Sequence, residues 1–297
     1  MKMVAHRAAD RACKLVVCVL ALVCVLALAF VVYFIVREAL PIFDEVGVPD
    51  FLFGTRWMPI AYVGEPSFGI GNFIAGTLYV SLLALALALS VSMGAALFLS
   101  TVSSSRARSL LYPFIDLLAG IPSVVYGFVG ICVVVKLFLG AGMRTGSCVL
   151  AAAVVLAVML VPFLVGAISE TLIKAQERYL PSARALGVEK WHAVATAALP
   201  AALQSILVSC VLAIGRAMGE TMAVMMVIGS ANLFPQLLGK SETIASVIAL
   251  EMGTAVQGST HYHALFAAGL VLVVIMLAIN LGIAALRRRL EKQGAVL

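Results

Sequence analysis

Apolar residues fall in six long blocks along this chain: Leu15–Val36, Phe73–Leu99, Leu110–Leu139, Cys148–Ser169, Leu203–Ile228 and Ala264–Leu286. A helix needs about 20 mostly apolar residues to cross the hydrocarbon core of a bilayer, and each block reaches that length. The first block is long for the core of a signal peptide and lacks a clear small-residue cleavage site, so it reads as an uncleaved span. The pattern predicts an all-α integral membrane protein, with six transmembrane helices in a single domain, 1–297.

The segments between the blocks alternate in charge. Lys2, Arg7, Arg11 and Lys14 precede the first block; Arg106 and Arg108 lie in Thr101–Ser109. Lys174, Arg178, Arg184 and Lys190 lie in Glu170–Ala202, and Arg287, Arg288, Arg289 and Lys292 follow the last block. The intervening segments are poor in basic residues, with Arg56, Arg144 and Lys240. Basic residues accumulate on the cytoplasmic side, so both termini are expected in the cytoplasm. An even number of spans, which puts both termini on one side, agrees with that.

Of the outer segments, Glu38–Gly71 carries Glu38, Asp44, Glu45, Asp50 and Glu65 with Trp57 and Tyr62. Trp and Tyr favour the headgroup level, so this segment reads either as lying along the outer membrane surface or as a solvated acidic loop. Asn232–His263 is too polar to span simply, yet Ile244, Val247, Ile248 and Glu251 recur at helical spacing, which predicts a short outer helix or a re-entrant piece.

Composition agrees with the blocks. The chain is 63% hydrophobic and 11% charged, where a soluble domain is about 45–50% apolar and about 25% charged. The net charge of +6 is confined to alternate segments and comes with no aromatic-rich basic groove, so no nucleic-acid partner is expected. The six cysteines lie mostly in or beside apolar blocks with no Cys-x-x-Cys pair, the usage of small buried hydrophobes. His261 and His263 have no evident third ligand, so a hydrogen-bonding role is expected rather than a metal, and no cofactor is expected.

The third inner segment, about 170–202, is the most informative. Pro181 is suited to the first position of a helix, small residues follow, and Gly187 should end or bend that helix. A second helix then leads to Pro200. A short helix, a turn and a helix make a knob able to dock in a partner's groove. The spacing resembles the "EAA" loop of ABC-importer permeases: Glu-Ala-Ala, three residues, Gly, nine residues, Ile, one residue, Leu-Pro. Ala183, Gly187, Leu199 and Pro200 match, whereas Pro181, Ser182 and Ala197 depart from it. The resemblance implies a type I ABC-importer permease fold. It implies that Ser182, Ala183, Arg184, Ala185, Leu186 and Gly187 form the coupling helix seated in an ATPase cleft, and that ATPase closure drives alternating access.

Within the fifth block, Arg216 and Glu220 lie four residues apart, in Gly215-Arg216-Ala217-Met218-Gly219-Glu220-Thr221. On a continuous helix they share a face and can pair, and charges at such depth face a pathway or a partner. Gly215 and Gly219 share the same spacing and permit close helix approach. The residues leave open a packing pair or an anion contact through the planar donors of Arg216. Asp116, Lys136 and Glu170 read as interfacial.

That motif, with Thr221 and the run Gly120-Ile121-Pro122-Ser123-Val124-Val125-Tyr126-Gly127, is similar to the PstC-type permease subunits of phosphate importers. The resemblance implies inorganic phosphate as substrate, with Arg216, Glu220 and Thr221 on its path. It also implies a bacterial plasma membrane location. The partners implied are a PstA-type second permease, two PstB-type ATPase subunits and a PstS-type phosphate-binding protein outside.

No phosphate-cradling loop is present: Gly239-Lys240-Ser241 resembles the end of one, but Phe234 stands where its first glycine belongs. The chain is therefore expected to be a transport permease and not an enzyme, with hydrolysis on a separate subunit. The alternatives are a permease for another oxyanion (molybdate, sulfate or phosphonate), a secondary transporter, or a membrane enzyme. A secondary transporter often shows inverted repeats and acidic relays; no repeat is evident and only Glu220 is a deep acid. A membrane enzyme would need a catalytic set at depth, and all four histidines lie outside the blocks.

Overall fold

Bundles of apolar helices in lipid pack through small residues and shape, because lipid and leucine are equally apolar. The centre of this chain follows that rule. The structure, a computed structural model, describes residues 2–60 and 65–294, with side chains over 13–60 and 65–285. Tyr62, Lys2, Arg7, Arg11, Arg287, Arg288, Arg289 and Lys292 therefore lie outside the described side chains.

Helix α1 (Lys2–Glu45) leads to the short α2 (Val48–Phe53) and a hairpin of β1 (Trp57–Met58) and β2 (Ser67–Phe68). α3 (Gly71–Leu97) ends in a π-turn (Phe98–Val102), and α4 (Ser105–Ala119) follows. α5 (Ser123–Val129) runs through a π-turn (Gly130–Val135) into α6 (Lys136–Gly140). α7 (Val149–Ala185) turns back into α8 (Lys190–Ala193), which continues through a π-turn (Val194–Ala198) into α9 (Leu199–Gly219). α10 (Met222–Ile228), α11 (Ile244–Glu251) and α12 (Thr260–Gly294) complete the chain.

Among the described residues, six helical stretches are long and apolar enough to cross a membrane: Cys13–Glu45, Gly71–Val102, Ser123–Gly140, Val149–Ala185, Lys190–Gly219 and Thr260–Ala285. Each corresponds to one of the six apolar blocks. α7 is the central post, packed against α3, α9, α4 and α10. Its run of Ala151, Ala152 and Ala153 is fully buried, and Leu156, Leu160, Leu164 and Ile168 continue the buried face. α1 has no such neighbours. Its residues 13–33 are exposed on every side, and it leans on α12, with Phe34 edge-on to Phe266 at 5.5 Å.

Four expectations are corrected. The third block is not one helix. Gly120 caps α4, and Pro122 has no amide proton and disfavours helix at Ile121, so the chain breaks between Ala119 and Ser123. The fifth block breaks at Glu220 and Thr221, where Glu220 is extended (φ −72°, ψ 121°). Pro181 does not begin a helix: it lies inside α7, which carries the fourth span four residues past it to Ala185.

Trp57 does not lie in a solvated loop either. It is buried, 8% exposed, edge-on to Phe68 and Phe73. These three edge-on rings share one buried apolar cluster with Ile244, Val247 and Ala264, so the hairpin folds onto the bundle. α11 packs against α12 and α3, its first four residues buried. The Thr243 and Ser246 side chains cap it reciprocally, and the Ile244 amide donates to Thr77 Oγ1 of α3 at 3.0 Å.

Candidate functional site: two broken helices and a hairpin tip

The two helix breaks meet. Tyr126 of α5 donates its hydroxyl to the Leu118 carbonyl at 2.8 Å, strapping α5 to the end of α4 across the Gly120–Pro122 break. Leu118 and Tyr126 line one crevice with Val158, Val161 and Pro162 of α7, which sets this break about halfway along the span. α5 then crosses α10 at Gly127. A β-carbon there would lie 2.7 Å from Met226 Sδ and 3.0 Å from the Ala223 backbone, so only glycine admits this approach. Ala223 lies three residues past Glu220, which brings the second break beside the first.

At the second break the helix amides of α10 need a partner. Glu220 supplies it: Oε1 accepts from the Ala223 amide at 3.2 Å. This corrects the expected ion pair. Because the helix ends at Gly219, the four-residue spacing no longer puts Arg216 and Glu220 on one face, and among the described residues they form no salt bridge. Arg216 is exposed and lies within electrostatic reach of the Tyr126 phenol. Thr221 donates back to the Gly219 carbonyl at 3.2 Å. The glycines divide: Gly215 faces Met276 of α12, while Gly219 faces open space. Arg216 and Gly219 thus face away from this chain's own core.

The segment expected to form the coupling helix is a helical hairpin. α7 closes on Gly187 with a left-handed turn, φ +71°. The Val188 amide bonds the Ala183 carbonyl and the Gly187 amide bonds that of Arg184, both at 3.0 Å, a glycine-closed helix end that satisfies two otherwise free carbonyls. The tip projects from the bundle. Ser182, Arg184, Ala185, Leu186 and Gly187 are exposed, Leu186 at 81%, and Trp191 stands beside them at 51%; Ala183 is half-buried. Predicted from sequence as two groups, the coupling residues and Arg216, Glu220 and Thr221 remain separate in space, joined by α9.

At the opposite end, sequence reasoning missed a polar network. Glu251 of α11 receives Trp57 Nε1 at 2.9 Å and His261 Nε2 at 2.8 Å on the same Oε2. His263 Nδ1 meets the Glu38 carbonyl at 2.7 Å. The histidines expected to hydrogen bond do so, His261 to α11 nearby in sequence and His263 to α1 far from it. Nearby, Glu242 is buried, 7% exposed, and burial first, the Glu251 charge second, push its carboxyl up to about 7. Glu170 and Lys174, in the second half of α7, pair with each other in the open at 2.7 Å.

Residues 86–293 match the family of binding-protein-dependent transport system inner membrane components. A Bacillus subtilis (strain 168) protein named probable ABC transporter permease protein YqgH is 31% identical over 268 residues, covering 88% of this chain and 85% of that one. The phosphate transport system permease protein PstC of Xylella fastidiosa (strain Temecula1) is 34% identical over 253 residues, 77% of this chain and 76% of its own. The solved inward-facing MetNI methionine ABC transporter has the same fold, with a TM-score of 0.58 at 15% identity, over 72% of this chain and 92% of that one. With six spans, a glycine-closed hairpin at one end and a family match across five of those spans, the chain belongs to the inner membrane components of binding-protein-dependent transport systems.

Proposed function

We propose that this chain is one permease half of an ATP-driven importer of inorganic phosphate. The family works with a separate binding protein and a separate ATPase; a PstA-type second permease, two PstB-type ATPase subunits and a PstS-type binding protein are the partners proposed. The observation that carries the reading is the pairing of two broken helices at mid-depth with Arg216 beside them, exposed toward the space a second subunit would close. Discontinuous helices at the bilayer midplane are how transporters build ion and substrate sites, and a guanidinium is suited to a phosphate oxyanion. Several relatives of this length carry the name phosphate transport system permease.

In this reading Arg216 meets the anion. Glu220 holds the start of α10 in place by accepting from Ala223, and Thr221 lines the break. The hairpin tip from Ser182 to Gly187 enters the ATPase cleft, with both chain termini in the cytoplasm as the basic segments require. Closure of the ATPase dimer moves the hairpin, and the two broken helices open alternately to either side. The phosphate reading is tested by radiolabelled phosphate uptake into proteoliposomes holding the assembled transporter. Arg216→Gln is expected to abolish uptake while assembly and membrane insertion are unchanged. Uptake of molybdate, sulfate or phosphonate in place of phosphate would reassign the substrate, and uptake without any ATPase subunit would overturn the reading.

A further inference from the structure

The end of α3 is capped in an unusual way. A helix leaves its last carbonyls without amide partners, and a glycine turn ordinarily supplies them. Here α3 ends in a π-turn, where the Ser103 amide reaches back to the Phe98 carbonyl at 2.9 Å. Three side chains from three other segments complete the cap. Arg108 of α4 donates Nε to the Leu99 carbonyl at 3.0 Å and Nη2 to the Ser100 carbonyl at 3.1 Å. Lys190 of α8 donates to the Thr101 carbonyl. Gln176 of α7 donates Nε2 to Thr101 Oγ1 at 2.9 Å and to Ser100 Oγ at 3.2 Å.

Ser100, Thr101 and Gln176 are all buried, between 4% and 7% exposed. Buried donors and acceptors must be paired, and cations are favoured at a helix C-terminus, so this arrangement is held by chemistry and not by surface chance. Its position is the informative feature. Gln176 and Lys190 sit on the two arms of the hairpin whose tip is Gly187. Arg108 sits in the first turn of α4, whose other end is the Gly120–Pro122 break.

We propose that Arg108, Gln176 and Lys190 form a latch that transmits movement of the coupling hairpin to the inner end of α3 and through α4 to the helix break. The proposal rests on the coupling role given above to the hairpin. A force on the tip loads both arms, and both arms grip Thr101, in the π-turn that ends α3. Arg108 ties that grip to α4, a rigid 15-residue lever. These are positioning residues: none of them meets substrate or nucleotide.

The test uses the assembled transporter with its binding protein in proteoliposomes, and reads substrate moved per ATP hydrolysed. Gln176→Leu is expected to leave ATP hydrolysis running and to lower that ratio about tenfold, the fold-change equivalent to one charge-assisted or paired buried hydrogen bond. Thr101→Val should lower it too, and the double variant should be no worse than Gln176→Leu alone, because Gln176→Leu already removes the contact with Thr101. Lys190→Met should lower the ratio and Lys190→Arg should restore it.

A merely structural role would lower yield and thermal stability and reduce hydrolysis and transport in proportion, leaving the ratio unchanged; that result overturns the latch. The ratio is read with whichever oxyanion the wild type carries, so a wrong substrate does not disturb it. Spin labels on Leu186 and Leu117 give a second reading. Their separation should change on ATP addition in the wild type and stay fixed in Gln176→Leu, and an equal change in both overturns the proposal without reference to transport.

Discussion

Replacing Gly187 by alanine isolates the backbone of the hairpin tip from everything the tip touches. Gly187 has φ +71°, and an added β-carbon would meet nothing within 4 Å. The cost is therefore conformational alone, about 1–2 kcal/mol for an L-residue held in the left-handed region. Gly166, inside α7, is the matched control: its β-carbon would also meet nothing within 4 Å, but its backbone is helical, where alanine is favoured over glycine by up to about 1 kcal/mol. The same substitution should thus destabilise at Gly187 and be neutral or stabilising at Gly166. Asparagine at Gly187 should cost less than alanine, since it tolerates the left-handed region. Thermal unfolding of the purified protein reads the stabilities, and limited proteolysis reads opening of the tip. If alanine at Gly187 leaves both unchanged, the tip is not held in the left-handed turn and the account of its closure fails.

Three further outcomes are expected. A β-carbon at Gly127 would press on the Ala223 backbone as well as on Met226, so Gly127→Ala should cost about 1–3 kcal/mol by overpacking and lower uptake, while Gly94→Ala, at an open helical position, should do neither. Trp57→Phe keeps the ring but removes the donor to Glu251; a loss of about 1 kcal/mol in unfolding stability is expected. Because the Glu242 carboxyl is raised to about 7 from an ordinary 4.5, the folded state holds a proton that the unfolded state has released between those values. Stability should fall as pH rises from about 4.5 to about 7, by at most ~3 kcal/mol. Glu242→Gln should flatten that slope and unfold later than wild type above pH 7, measured by thermal scans from pH 5 to 8.

The spans were legible because a bilayer demands length and apolarity, and both are written in the composition of each block. The breaks were not read, although their signals stood in the sequence: Gly120 and Pro122 punctuate the third block, and Gly219 precedes a charge that cannot remain inside an apolar helix without a partner. The expected Arg216–Glu220 pair failed for the same reason, since it assumed an unbroken helix. The position of Gly187 at the hairpin tip was legible from its register with Leu199 and Pro200. What no local pattern could supply is contact between distant segments: Gln176 with Thr101, Trp57 with Glu251, and Lys190 with the end of α3. Those pairings depend on which helix lies beside which, and three π-turns that shift the register of the inner helices have no distinctive composition.

The seating of α1 on α12 has a consequence for biogenesis. α1 is made before α12 and packs mainly on it, through Phe34 and Phe266, Glu38 and His263, and Glu45 and Thr260. These pairs are separated by more than 200 residues of chain, so α1 must wait in the lipid while the rest of the protein is made. Its apolar circumference over residues 15–32 suits it to that wait, since a lone helix in lipid needs no neighbour to satisfy its backbone. Closure of the bundle then waits for α12, and a chain truncated before Thr260 should leave α1 drifting free of a core that has otherwise assembled.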